Sequence, residues 1–106
     1  MYIVLTSTYP FSKNVEAQKA FMQALKTNPI PSYITQAVPL AVRAGRAGVE
    51  TLAVFEVKSD KIQDAITEIT KFLRAYWGIE GYTYEAKLWA TGEEAFEMIG
   101  EKMPEM

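Results

Sequence analysis

The sequence predicts an α+β fold: a βαββαβ two-layer sandwich in which helices cover one face of a four-stranded antiparallel sheet, with a short C-terminal helix. The first observation is the order of apolar patterns, which alternate between the two-residue period of strands and the longer period of helices. The second is the pair Gly45 and Gly48, which allows the backbone angles of a hairpin between adjacent strands. The third is Pro39, which cannot donate a backbone hydrogen bond and therefore belongs in an edge strand or a bulge.

The first half of the chain predicts a strand, a helix and a second strand. Residues 2–9 are rich in β-branched and aromatic side chains and end at Pro10. Ser12 is expected to cap the helix that follows. The apolar residues of this helix share a helical spacing and are Val15, Ala17, Ala20, Phe21, Ala24 and Leu25. Residues 27–31 end the helix, and the second strand is predicted at residues 33–43.

The second half begins with a strand at residues 50–57 and a helix for which Ser59 is the expected cap. The apolar residues of this helix recur at steps of three and four and are Ile62, Ala65, Ile66, Ile69, Phe72, Leu73 and Tyr76. Gly78 or Gly81 can supply the left-handed conformation that ends it. The fourth strand is predicted at residues 82–90.

The end of the chain predicts a third, short helix. Thr91 and Glu94 form a capping-box pattern, and Ala95, Phe96 and Ile99 are expected on the inner side of this helix. We therefore predict a single domain at residues 1–100 and a flexible tail at residues 101–106.

Composition excludes several classes of function. The chain has no His and no Cys, which removes the commonest general base, thiolate chemistry and the usual transition-metal ligands, so no metal or cofactor is expected. A net charge of −2 gives no concentrated cationic surface for nucleic acid or an anionic membrane. No segment approaches the roughly 20 apolar residues of a membrane span, and the first residues do not resemble a signal peptide, which favours a cytoplasmic location.

Strand alternation predicts which side chains share a face of the sheet. Ile3, Leu5 and Phe55 are expected to meet the helices, together with the even-numbered residues of the fourth strand. The opposite, helix-free face is expected to carry Tyr2, Val4, Thr6, Thr8, Leu52, Val54, Glu56, Thr83, Glu85, Lys87 and Trp89. This face is too apolar to remain exposed and too charged for an ordinary core. We therefore expect the chain to form a homodimer through it, with a higher oligomer as the alternative.

This element order resembles the ferredoxin-like fold, and the semi-polar open face resembles that of the dimeric α+β barrel superfamily, in which two such sheets pack face to face around a cleft. The superfamily includes cofactor-free monooxygenases, haem-degrading enzymes, isomerases and ligand-sensing modules. The resemblance therefore implies a homodimer but selects no activity. Some members use a His for haem binding or proton transfer. This chain contains no His, so no residue corresponds to it.

The leading functional expectation is a small organic ligand bound in a cleft on the helix-free face. The candidate ligand-binding residues are Tyr2, Thr6, Glu56, Glu85, Lys87 and Trp89. The first alternative is a cofactor-independent isomerase or monooxygenase in which Glu56 or Glu85 is a general base, because a dry cleft raises a carboxyl pKa and a Tyr or Lys can stabilise an oxyanion. The second alternative is a structural or adaptor subunit. No catalytic residue is identified, since an ion pair between Glu56 and Lys87 explains the same charges.

A second motif, from Arg43 to Gly48, combines two Arg with two Gly. Glycines expose backbone N–H groups and paired Arg can clamp an anion, so a phosphate site is conceivable. The segment lacks the Lys-Ser/Thr of a phosphate-binding loop and does not open a helix. A plain hairpin is therefore the favoured interpretation.

Overall fold

The computed structural model describes residues 1–106 and contains each predicted strand and helix. The elements are β1 (Tyr2–Tyr9), α1 (Asn14–Thr27), β2 (Thr35–Ala44), β3 (Val49–Glu56), α2 (Ile62–Leu73), β4 (Thr83–Trp89) and α3 (Gly92–Met98). The four strands form one antiparallel sheet in the order β2-β3-β1-β4. With both strand-helix-strand halves interleaved in this way, the fold is a ferredoxin-like two-layer α+β sandwich, as predicted.

Strand β2 lies at an edge of the sheet, and Pro39 is inside it. The register with β3 shifts between Gln36 and Val38 and again between Val38 and Ala41. Pro39 falls in the second irregularity, where a missing backbone N–H costs the ladder nothing. The prediction of an edge or bulge is confirmed in both respects.

Helix beginnings differ from the prediction at two of three sites. A single turn of 3-10 helix, Phe11–Lys13 before α1 and Ser59–Lys61 before α2, precedes each long helix. Ser12 and Ser59 therefore lie within these turns, and neither makes a side-chain cap. The Thr91 capping box of α3 is confirmed: the Glu94 backbone N–H donates to the Thr91 hydroxyl, and the Glu94 carboxylate accepts from the Thr91 backbone N–H.

The core lies between the sheet and helices α1 and α2. Ile3, Ala53, Phe55 and Val57 point from the sheet to this layer and are buried, as the strand alternation predicts. Helix α2 contributes the most continuous buried stripe, which consists of Ala65, Ile69 and Leu73. This packing fixes the register, because a slip of one residue would exchange the two faces of the sheet.

Two apolar surfaces that the pattern placed against the core remain exposed. Tyr84 and Leu88 of β4 face the helix side, in register with Ser7 and Ile3, yet both are exposed. The two long helices do not cover this edge strand. Ala95 and Ile99 are also exposed, so their expected inner positions are wrong, whereas Phe96 of the same helix is half-buried.

The chain exposes more surface than a compact monomer of its mass. Its accessible area is 7387 Å², whereas the usual scaling for a folded chain of this mass gives about 6,000 Å². Its radius of gyration is 15.6 Å, against about 13 Å for a compact chain of this length. The excess area is about 1,400 Å², more than the roughly 800 Å² that each partner buries in a standard interface.

None of the helices combines the length and hydrophobicity that crossing a bilayer requires. The cytoplasmic location inferred from the sequence stays a prediction.

Gly48 provides a direct test of the β2–β3 hairpin. A methyl group at this position would approach the backbone carbonyl of Tyr9, which cannot move aside without disturbing β1. We expect Gly48→Ala to lower the free energy of unfolding by more than about 1 kcal/mol. Gly78→Ala is the matched control, because a methyl group there meets no atom within 4 Å. Equal urea midpoints for the two variants would contradict the close approach of the hairpin to β1.

Candidate functional site

The six predicted ligand-binding residues all lie on the helix-free face. Tyr2 is the Cα partner of Glu56 on β3 and of Trp89 on β4, so these three side chains form one row across the sheet. Thr6 is the partner of Glu85 two steps further along β1. Trp89 is 57% exposed. The strand alternation thus places this group correctly on one face, and a ligand-binding role for it stays a prediction.

Lys87 pairs with Glu85 and not with Glu56. Its Nζ atom lies 3.1 Å from a Glu85 carboxylate oxygen, and both side chains are largely exposed. The two residues are two positions apart on β4 and therefore point to the same side. Glu56 lies on β3, and β1 runs between β3 and β4, so the ion pair expected between Glu56 and Lys87 does not form within the chain.

The Arg43 segment is a β-hairpin. The Gly45 N–H donates to the Gly48 carbonyl at 2.7 Å and closes the turn. The Arg43 guanidinium Nε lies 3.2 Å from a carboxylate oxygen of Glu50, its Cα partner on β3. One of the two Arg of the proposed anion clamp is therefore engaged with a carboxylate, which agrees with the favoured interpretation.

A cavity of about 340 Å³ lies on the other side of the sheet, between the helices and the strands. We call it the interlayer cavity. None of the six predicted residues lines it. Its exposed lining residues on α1 and β2 include Gln18, Leu25, Leu40 and Val42, so the cavity opens to solvent between α1 and the bulged edge strand.

The floor of the interlayer cavity is formed by successive cross-strand pairs of β1 and β3. Leu5 lies opposite Ala53, and Ser7 lies opposite Thr51. The Ser7 and Thr51 hydroxyls hydrogen-bond to each other. The floor therefore changes from apolar to polar along β1.

Aromatic rings form much of the remaining wall. Phe21 of α1 meets Phe72 of α2 edge to face with ring centroids 6.1 Å apart. Tyr82 stacks on Tyr76 at 4.8 Å and on Tyr9 at 6.2 Å. Burial raises the pKa of Tyr82 to about 12, although the neighbouring Ser7 hydroxyl partly opposes this rise. Burial also raises the pKa values of Tyr76 and Tyr9, so these phenols are uncharged hydrogen-bonding groups at neutral pH.

The interlayer cavity has no charged lining residue, since 15 of its 21 lining residues are hydrophobic and the other six are Pro39 and five neutral polar residues. Carboxamides line it at Asn14, Gln18 and Gln36. The Asn14 side-chain oxygen accepts a hydrogen bond from the Tyr9 hydroxyl at 3.2 Å. The arrangement can therefore enclose an apolar molecule and hydrogen-bond to it, but it offers no carboxylate or ammonium group.

Small side chains on both layers create this space. Ala17 on α1 and Ala53 on β3 are buried and line the cavity from opposite layers. The sequence contains a signal of the site: Ser7 and Thr51 occupy positions of the strands that face the core, where apolar residues are the norm. The apolar and charged residues of the helix-free face form a more extended pattern in the sequence, so function was expected there.

The raised tyrosine pKa values predict instability at alkaline pH. Folding favours the neutral phenols, so their contribution to stability is complete below the unfolded-state pKa of about 10. It is lost as the pH rises from there toward the folded-state value of about 12 for Tyr82. We expect unfolding, followed by circular dichroism and tyrosinate absorbance, to occur together in this range.

Tyr82→Phe should move this alkaline unfolding to higher pH, because the variant removes one group that must otherwise stay protonated. Tyr2→Phe, on the opposite face of the sheet, is the control. Ionisation of all six tyrosines in a protein that stays folded would contradict the burial of these phenols.

No protein-family model and no curated protein matches the chain. Among solved structures it is similar to PH0061, with 16% sequence identity and a TM-score of 0.45 over 88% of this chain and 56% of that chain. The de novo designed protein Foldit4 gives 9% identity and a TM-score of 0.46 over 84% of this chain and 96% of that chain. The C-terminal domain of the MgtC protein from Mycobacterium tuberculosis gives 15% identity and a TM-score of 0.42 over 87% of this chain and 92% of that chain.

The chain spans little more than half the length of PH0061. Its fold assignment rests on the sheet order and register described above.

Proposed function

We propose that the protein binds an uncharged, largely apolar small molecule in the interlayer cavity. The observation that carries this proposal is an open, mostly apolar cavity of about 340 Å³ beside the core. Protein interiors are otherwise close-packed, with few voids larger than a water molecule. Ligand pockets, in contrast, occupy about 300–1,000 Å³ and combine apolar walls with a few polar groups.

The absence of charge in the lining limits the chemistry of the ligand. A charged ligand group that leaves water for an apolar site without a counter-charge pays a large desolvation cost. The neutral lining of the interlayer cavity provides no such counter-charge. An uncharged molecule with a substantial apolar surface therefore fits best.

We further propose that the protein is a homodimer formed through its helix-free face, in the manner of the dimeric α+β barrels. The excess of about 1,400 Å² in exposed area is sufficient for a standard interface. Val4 and Leu52 supply apolar area on this face, and Trp89 supplies a large aromatic side chain. The interlayer cavity lies on the opposite side of the sheet, so dimerisation through this face leaves its opening between α1 and β2 free.

The other hypotheses from the sequence concern the helix-free face. A ligand cleft there, an enzyme with Glu56 or Glu85 as base, and an adaptor role stay predictions. A reaction that depends on a glutamate base would have to take place outside the interlayer cavity, because no carboxylate lines it.

Titration with two naphthalene derivatives of similar shape tests the proposed function. At neutral pH 2-naphthol is uncharged and 2-naphthoate is an anion. We expect the wild-type protein to bind 2-naphthol at least tenfold more tightly, measured by calorimetry or by probe fluorescence. Binding of neither probe, or tighter binding of the anion, would contradict an uncharged ligand in this cavity.

A further inference from the structure

Four polar side chains of the interlayer cavity cluster toward one end, whereas Gln36 lies toward the other end, because its Cα partner Phe55 pairs with Ile3. Ser7 and Thr51 are cross-strand partners near the end of β1, beside Tyr9 and Asn14 at the beginning of α1. Phe21 and Leu25 lie about two and three turns beyond Asn14 along α1, where the apolar part of the lining begins. The cavity is therefore polar at one end and predominantly apolar along its length.

The Ser7–Thr51 pair retains unused hydrogen-bonding capacity. Each hydroxyl has one hydrogen and two acceptor lone pairs. When one hydroxyl donates to the other, the second hydrogen can be donated to the neighbouring Tyr82 hydroxyl or to a bound molecule, and acceptor positions remain on both oxygens. Both residues line the cavity, so this capacity lies next to a bound molecule.

The other polar groups at this end of the cavity either hydrogen-bond to each other or lie close to the Ser7–Thr51 pair. The Tyr9 hydroxyl donates to Asn14. The Tyr82 ring lies against Tyr9 and Tyr76, and its hydroxyl is close enough to Ser7 to influence the phenol. A wholly apolar ligand would cover these polar groups without replacing the hydrogen bonds that water gives them, which costs affinity.

We propose that the ligand carries one uncharged oxygen, a hydroxyl or a carbonyl, at one end of a flat apolar body, and that the Ser7–Thr51 pair binds this oxygen. A hydroxyl or carbonyl matches the pair because the pair can donate one hydrogen bond and can accept others. The flat body matches the aromatic wall of Phe21, Phe72 and Tyr76, against which planar groups pack well. This inference rests on the proposed function, because it concerns the same cavity.

The test compares 2-naphthol with naphthalene, which has the same ring system without the oxygen. The measured quantity is the ratio of their affinities, since this ratio cancels the shared hydrophobic contribution. We expect the ratio to fall at least tenfold from the wild type to the double variant Ser7→Ala/Thr51→Val. Naphthalene itself should bind the double variant as tightly as the wild type or more tightly.

Thr8→Val is the matched control, because Thr8 is on the same strand but on the helix-free face and is not one of the six candidate ligand-binding residues. This variant should retain the wild-type ratio. The single variants Ser7→Ala and Thr51→Val are each expected to lower the ratio, so they test the same claim if the double variant does not fold.

The outcomes separate this inference from the proposed function. If both probes bind but the ratio is the same in the wild type and in the Ser7 and Thr51 variants, the hydroxyl pair does not recognise the oxygen, and the proposed cavity function stands. If neither probe binds the wild type, the proposed function fails and this inference fails with it.

Discussion

Replacing Trp89 with alanine is expected to weaken the proposed dimer and to raise the fraction of monomer at micromolar concentration. Trp89 is 57% exposed on the helix-free face and lies beside Tyr2 in the row that also contains Glu56. A large aromatic side chain that becomes buried in an interface commonly costs about 2 kcal/mol or more when it is truncated. This corresponds to an increase of about 30-fold in the dimer dissociation constant. Sedimentation equilibrium or light scattering measures the change directly.

Trp77→Ala is the matched control for this experiment. Trp77 is 58% exposed, but it follows α2 and its ring lies near the Arg74 guanidinium, away from the sheet. The control variant should dimerise like the wild type. A wild type that is monomeric, or a Trp89→Ala variant that dimerises as tightly as the wild type, would show that the helix-free face is not the interface.

Replacing Ala17 with leucine is expected to block the interlayer cavity while the protein stays folded. Ala17 is buried on α1 and lines the cavity, so the longer side chain can extend into empty space. Filling an apolar cavity avoids the strain that the same change causes in a fully packed core. We expect the affinity for 2-naphthol to fall at least tenfold and the urea midpoint to stay the same or to rise.

Ala75→Leu makes the same chemical change at an exposed position outside the cavity. It should leave the affinity for 2-naphthol unchanged. If Ala17→Leu keeps its fold and binds 2-naphthol as tightly as the wild type, the probe binds elsewhere, and the interlayer cavity is not the site.

The sequence was sufficient to predict the fold because several local signals agreed. The alternation in β1 and β3 identified the core face from Ile3 and Phe55, and the structure buries both. Pro39 indicated an edge strand or a bulge, because its missing N–H is tolerated in either place. Element order then left one sheet topology that satisfied both constraints.

Helix caps and side-chain exposure depend on packing and could not be predicted from local sequence patterns. A serine near a helix start is a frequent cap, but the 3-10 turns around Ser12 and Ser59 place each hydroxyl outside the capping position. Strand alternation predicted correctly that Leu88 points to the helix side of the sheet, but it did not predict that this side chain is exposed. Exposure depends on how far the helices extend over the sheet, which is not encoded in a strand's own residues.

The candidate site, like the fold, was predictable only where local sequence patterns determine it. The six residues predicted from alternation share the helix-free face. Strand β1 separates Glu56 from Lys87, so their expected ion pair does not form within one chain, and the same pair across a dimer interface stays a prediction. The interlayer cavity was missed, because an empty volume arises where small residues from distant segments, such as Ala17 and Ala53, meet. Only the polar pair of Ser7 and Thr51 marked it in the sequence.

The location of a bound probe tests the central claim most directly. Backbone amide NMR spectra recorded during titration with 2-naphthol distinguish the two sides of the sheet. We predict shifts that saturate with the binding curve at Ala17 and Val42, which line the interlayer cavity, with little change at Glu85 and Lys87 on the helix-free face. Saturable shifts confined to Glu85, Lys87 and their neighbours on that face would place the ligand there and contradict the account.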